Sequence, residues 1–142
     1  MAACSIRLIG LTVWTRTRLA RYRTIMPALD RDKIHREFGE TVNMAPAELE
    51  AWLETEESRE VGWKAEPGAE SVGHASGRRI LAILRKRKAA LDDSDYAHMR
   101  KAIGFARRHL AQQPANPVTS RWRYSLMNWG HDPLKDIGKE TR

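Results

Sequence analysis

The stretch DSDYAHMRKAIGFARRHLA, residues 93–111, decides the fold. Tyr96, Met99, Ile103, Ala106 and Leu110 recur at steps of three and four, so one side of a helix carries an apolar stripe. Asp92 or Asp93 caps the first turn, where acids also complement the helix dipole. A helix over about 93–111 follows. His98, Phe105 and His109 share a second side of it. Two stripes predict a helix packed between neighbours with its histidines at the packing edge, or a face left for a protein partner.

Outward from this helix the same signals repeat. Ile34, Phe38 and Val42 step by four and predict a helix over 29–42 with Asp30 as its cap. Pro46 opens another, because proline in the first turn lacks only an N–H that would be orphaned there; Leu49, Trp52 and Leu53 form its apolar face. Gly62, Pro67, Gly68 and Gly73 mark 61–73 as a loop from which Trp63 packs back on the core. Ile80, Ile83, Leu84 and Leu91 predict a helix over 73–91, with Arg87 near its apolar side. Trp122, Leu126 and Trp129 share a face of a short helix over 120–129, which Gly130 stops. The tail from His131 reads as irregular, and 136–142 as frayed. No segment alternates over a strand length. The fold class is therefore all-α: a small bundle of about five helices with short connections, in one domain over 26–135.

The charges are sorted along the chain. Residues 26–70 hold five cations and twelve acids, a net −7; residues 71–131 hold twelve cations and three acids, a net +9. A basic surface without interspersed carboxylates attracts polyanions, and pI near 10 agrees. Arg78, Arg79, Arg85, Lys86 and Lys88 form one array, and Arg100, Lys101, Arg107 and Arg108 form a second on the next helix. Arg121 and Arg123 flank Trp122. Guanidinium groups fit phosphate oxygens in pairs, and aromatic neighbours stack on bases. These eleven residues are the candidate DNA-binding positions. The competing reading is that they coat a bundle or pair within the chain with the acidic 26–70 segment, each exposed pair being worth about 0–1 kcal/mol. A protein-interaction module that pairs acidic and basic surfaces between chains is the alternative function.

Other chemistry finds little support. The segment SVGHASGRR, 71–79, lacks the lysine and hydroxyl spacing of a phosphate-binding Walker loop; Gly73 and Gly77 instead let another helix come close. His35, His74, His98, His109 and His131 follow no metal-ligand spacing, and the single Cys4 excludes a cysteine-rich zinc site and an intramolecular disulfide. No metal or cofactor is expected. No serine has a paired base in sequence, so no catalytic residue is assigned and the protein is read as a non-enzyme. No stretch has the length of a membrane span, and the expected location is cytoplasmic, with the nucleoid as the site of action if DNA is the partner.

Residues 1–25 contain five arginines and no acid. They are read as a basic extension: disordered, a targeting segment, or an artefact of a start that belongs at Met26, where composition changes abruptly.

Five segments together resemble a known family. They are AELEAWLETEES (47–58), VGWK (61–64), ESVGHASGRRI (70–80), DYAHMRK (95–101) and RWRYSLMNWGHDPLK (121–135). They are similar to an uncharacterised bacterial family, catalogued as a domain of unknown function, whose members are often labelled "DNA-binding protein". The resemblance covers about 30–135. It implies DNA binding and brings no catalytic residues. Ala75 stands where this family's pattern has Glu.

Overall fold

The structure, a computed structural model, describes residues 27–140. The basic extension expected over 1–25 lies outside them. Internal contacts divide the chain after Lys33; the packing described below belongs to the unit that starts at Ile34. The helices are α1 (Pro27–Thr41), α2 (Pro46–Leu53), α3 (Glu56–Glu60), α4 (Val72–Leu84), α5 (Asp93–Leu110), α6 (Arg121–Asn128) and α7 (Pro133–Glu140). A 3-10 turn spans Lys88–Ala90. Among the described residues there is no strand, and the fold is a small all-α bundle.

Caps set the boundaries. Ser71, Asp92 and Ser120 each accept a hydrogen bond from the N–H three residues on, at the starts of α4, α5 and α6. Asp95 returns the favour to the Asp92 N–H, completing a reciprocal cap. Thr55 caps α3 in the same way, a helix that the hydrophobic pattern did not reveal because its five residues carry no apolar stripe. Gly130 ends the region after α6 with φ +78°, which favours glycine, and its α-carbon lies close against Val42.

The predicted stripes form the core. Ile34 and Phe38 of α1, with Val42 just beyond it, pack with Leu49 and Leu53 of α2, Ile80 and Ile83 of α4, and Tyr96, Met99 and Ile103 of α5. Ala106, Trp122 and Leu126 join α5 to α6 in a second cluster. Gly73 and Gly77 do allow close approach. A Cβ at 77 would lie 2.5 Å from the Asn128 carbonyl oxygen and 2.6 Å from Leu53 Cδ2, so α4 crosses α6 and α2 where it has no side chain.

Three expectations are corrected. The helix predicted to Leu91 stops at Leu84: Leu91 is buried as expected, but the chain needs residues 85–92 to reverse direction into α5. The contacts Ser76–His98 and Arg79–Ser94 run in opposite chain directions, so α4 and α5 are antiparallel. Arg87 consequently leaves the apolar side and is exposed. Trp63 does not pack back on the core; it is 69% exposed. Its backbone carbonyl accepts from Val72 N–H, which pins it beside the start of α4 with the indole outward. Finally, the segment after His131 is not irregular. His131 is buried and hydrogen-bonds the Thr41 carbonyl, Asp132 accepts from Leu134 N–H, and Pro133 opens α7, which runs through most of the stretch expected to fray.

Candidate functional site: a cation-edged aromatic cleft

The eleven basic candidates fall into unlike groups. Three hold the fold together. The Asp95 carboxylate is nearly fully buried and meets Lys86 at 2.7 Å and Arg79 at 3.5 Å. Arg123 meets Asp132 through two of its nitrogens, each at 3.1 Å. The Lys86 hydrogen bond, ahead of the opposing effect of burial, holds the Asp95 carboxyl below the usual range. For Asp132 burial pushes upward, but the Arg123 hydrogen bonds and the Leu134 N–H outweigh it and its carboxyl also sits low. Removing one of these cations leaves a carboxylate short of its partner, so their first duty is structural.

Three more pair on the surface: Arg78 with Glu70 at 2.6 Å, Arg85 with Glu50 at 2.8 Å, and Arg107 with Glu37 at 3.6 Å. Arg85 and Arg107 reach back to the acidic early helices, as the competing reading of the charge pattern anticipated. Exposed pairs of this kind are worth about 0–1 kcal/mol and are screened by salt. Lys88 and Arg100 are exposed and have interactions of their own. Lys101, Arg108 and Arg121 are exposed and have no carboxylate partner among the described residues.

Two of these three border one cleft. Lys101 and Arg108 lie seven residues apart, two turns of α5, on the side that also carries Gly104 and Phe105. A cleft of about 460 Å³ opens there, between α5, the end of α6 and the start of α4. Its wall is Phe105 and Trp129, its rim Trp63 and Val72, its polar points Ser125, Asn128, His109, Lys101 and Arg108, and no carboxylate lines it. The neighbouring concavities beside His74 are different in kind. The larger mixes Glu50, Glu54 and Glu70 with Arg59 and Arg78, and its charges largely satisfy one another.

The aromatic wall continues along α5. His98 and Phe105 are about 10.5 Å apart along the helix axis, room for one ring between them. Trp129 fills it, stacked 6.0 Å from His98 and 4.5 Å from Phe105. Phe105 stacks on His109 at 4.9 Å, and His109 on Trp122 at 6.4 Å. These are offset-stacking distances for aromatic pairs. The histidines set aside as a candidate partner face are thus places in a five-ring column between α5 and the region of α6. His98 Nε2 also bonds the Ser76 hydroxyl at 2.9 Å.

This column makes the fold acid-sensitive. Burial holds both His98 and His109 below the ordinary histidine range, and the Arg79 and Lys101 charges push His98 further down. In the unfolded chain they ionise near about pH 6.5, so below that pH the unfolded state binds more protons. Their contribution to stability is complete above about pH 6.5 and is lost as pH falls. Thermal unfolding is expected to move to lower temperature between pH 7.5 and 5.5, and His98→Phe with His109→Phe to flatten that slope. An equal slope in the double variant would show that the column does not carry it.

Tyr124 packs against Trp52 rather than facing a ligand. Among the described residues no three His, Cys, Asp or Glu side chains converge as a metal site would require. No helix there is long and apolar enough to cross a membrane.

Sequence reasoning missed Trp63, Ser125 and Trp129 as cleft residues. Trp129 was read as core, which it is. The outward turn of Trp63 goes with the Val72–Trp63 backbone bond, for which periodicity gives no signal.

An all-helical domain with a cation-edged aromatic cleft is the class that fold and site define. The chain belongs to the family described as "Protein of unknown function (DUF3140)", whose model matches residues 37–127. That span runs from within α1 to the last turn of α6 and includes all eleven basic candidates. No curated protein and no solved structure matches the chain.

Proposed function

We propose that this chain is a non-catalytic DNA-binding protein that grips phosphates with little sequence preference, through the α5 face bearing Lys101 and Arg108. The observation that carries the reading is that these two cations, without carboxylate partners, border the one large cleft described here that no acid lines. Phosphate oxygens would meet them without first displacing a carboxylate. Arg78, Arg85 and Arg107 are secondary contacts, since each must give up a glutamate. Arg79, Lys86 and Arg123 are excluded from the footprint by their buried or half-buried aspartates. Action in the cytoplasm, at the nucleoid, follows from such a partner. The alternative, acidic and basic surfaces pairing between copies, is less favoured because several of those charges already pair within one chain.

Counterion release provides the test. Each neutralised duplex phosphate contributes about −0.9 to the slope of log affinity against log salt. The two contacts, Lys101 and Arg108, predict about a 12-fold loss of affinity for a labelled 20-base-pair duplex between 50 and 200 mM salt. Eleven contacts would give a slope near −10. Absent or salt-insensitive binding, measured by fluorescence anisotropy, would overturn the proposal.

A further inference from the structure

We infer that the cleft holds an unpaired nucleotide of a DNA strand: its base against the aromatic wall and under Trp63, its phosphates on Lys101 and Arg108. The inference rests on the DNA-binding reading and narrows it from duplex backbone to exposed base. Four observations converge. The volume, about 460 Å³, lies in the range of small-molecule sites of about 300–1,000 Å³. The wall is aromatic: Phe105 and Trp129, stacked on each other 16° apart, give the cleft an apolar side against which a base can lie edge-on. Trp63 stands 69% exposed at the rim and belongs to none of the ring pairs of the column, so its face is open to stack on a base. Both flanking charges are positive and without acidic partners, which complements a phosphate on either side of the base.

Alternative occupants fit less well. A cationic or neutral apolar peptide would leave Lys101 and Arg108 beside like charge or without a partner. An intact duplex keeps its bases stacked and can offer the cleft only phosphates. Base–aromatic stacking tolerates any sequence, because every base has a π-face, so the inferred site agrees with low specificity.

The test compares four probes against the full chain by anisotropy and by quenching of tryptophan fluorescence. They are a 12-nucleotide single strand, the same strand with abasic sites, the corresponding duplex, and a free mononucleotide. The intact strand is expected to bind about tenfold tighter than the abasic strand, which carries the same phosphates, and tighter than the duplex. Trp63→Ala, a change at an exposed position, should remove most of that margin and much of the quenching. Ser125→Phe, which fills the cleft without altering charge, should do the same, with circular dichroism confirming the fold of each variant. Equal binding of intact and abasic strands, with both lost on replacing Lys101 and Arg108, would overturn the inference and leave phosphate binding standing. A mononucleotide that binds as tightly as the strand would also overturn it, in favour of a free nucleotide. If none of the strands binds, both readings fall.

Discussion

Gly77→Ala is expected to lower stability by about 3 kcal/mol and the midpoint of thermal unfolding by about 10 °C. The added methyl would sit 2.5 Å from the Asn128 carbonyl oxygen and 2.6 Å from Leu53 Cδ2. A leucine tip can rotate; a backbone carbonyl in the α6 turn cannot move without dragging that helix. The gain in helix propensity on replacing glycine, about 1 kcal/mol, is too small to offset the clash. Gly39 is the matched control: it lies in α1 with nothing within 4 Å of its would-be Cβ. Gly39→Ala is therefore expected to stabilise by up to about 1 kcal/mol. Denaturant unfolding of the two variants should give opposite signs. A neutral Gly77→Ala would mean that α4 and α6 do not cross this closely.

Asn128→Ala is expected to cost about 3–4 kcal/mol in the same measurement. Asn128 is completely buried and joins three elements. Its Oδ1 accepts from Trp52 Nε1–H at 2.9 Å and from the Ser58 hydroxyl at 2.5 Å, and its Nδ2 donates to the Ser58 carbonyl at 2.9 Å. Truncation leaves the fully buried Ser58 hydroxyl and carbonyl, and the half-buried Trp52 N–H, without their partner, and each buried orphan costs about 1–3 kcal/mol. Ser58 is equally buried, so Ser58→Ala removes part of the same network. The double variant should lose less than the two single losses added together. Strict additivity would show that the three groups act independently.

These two residues also mark where sequence reading stops. The helices with apolar stripes were legible, since Ile34, Phe38, Leu49, Ile80, Met99, Ile103 and Leu126 announce their burial by spacing. Gly77 was legible in role, as a place where another helix comes close, but not in partner. Asn128 gave no signal, because an asparagine that bridges three elements looks like any polar residue before a turn. The break at Leu84 was hidden for a similar reason: Leu91 keeps the helical phase of Ile80 and Ile83 even though the chain turns between them. At the site, charge sorting was visible and pairing was not. Asp95 looked like one of three acids at a helix start, and only the fold reveals that it binds Lys86 and Arg79. The eleven cations looked equivalent. Tertiary contacts separate those already paired with a carboxylate from those left to meet a ligand.

That separation is the central claim, and one comparison tests it. Lys101→Gln with Arg108→Gln, and Arg78→Gln with Arg85→Gln, remove the same net charge from opposite categories. At 100 mM salt the first pair is expected to weaken binding of a labelled DNA strand by tenfold or more, on the order of two lost phosphate contacts; the second should weaken it about twofold. Equal losses, or a larger loss from Arg78 and Arg85, would contradict the account and return the binding face to the basic array of α4.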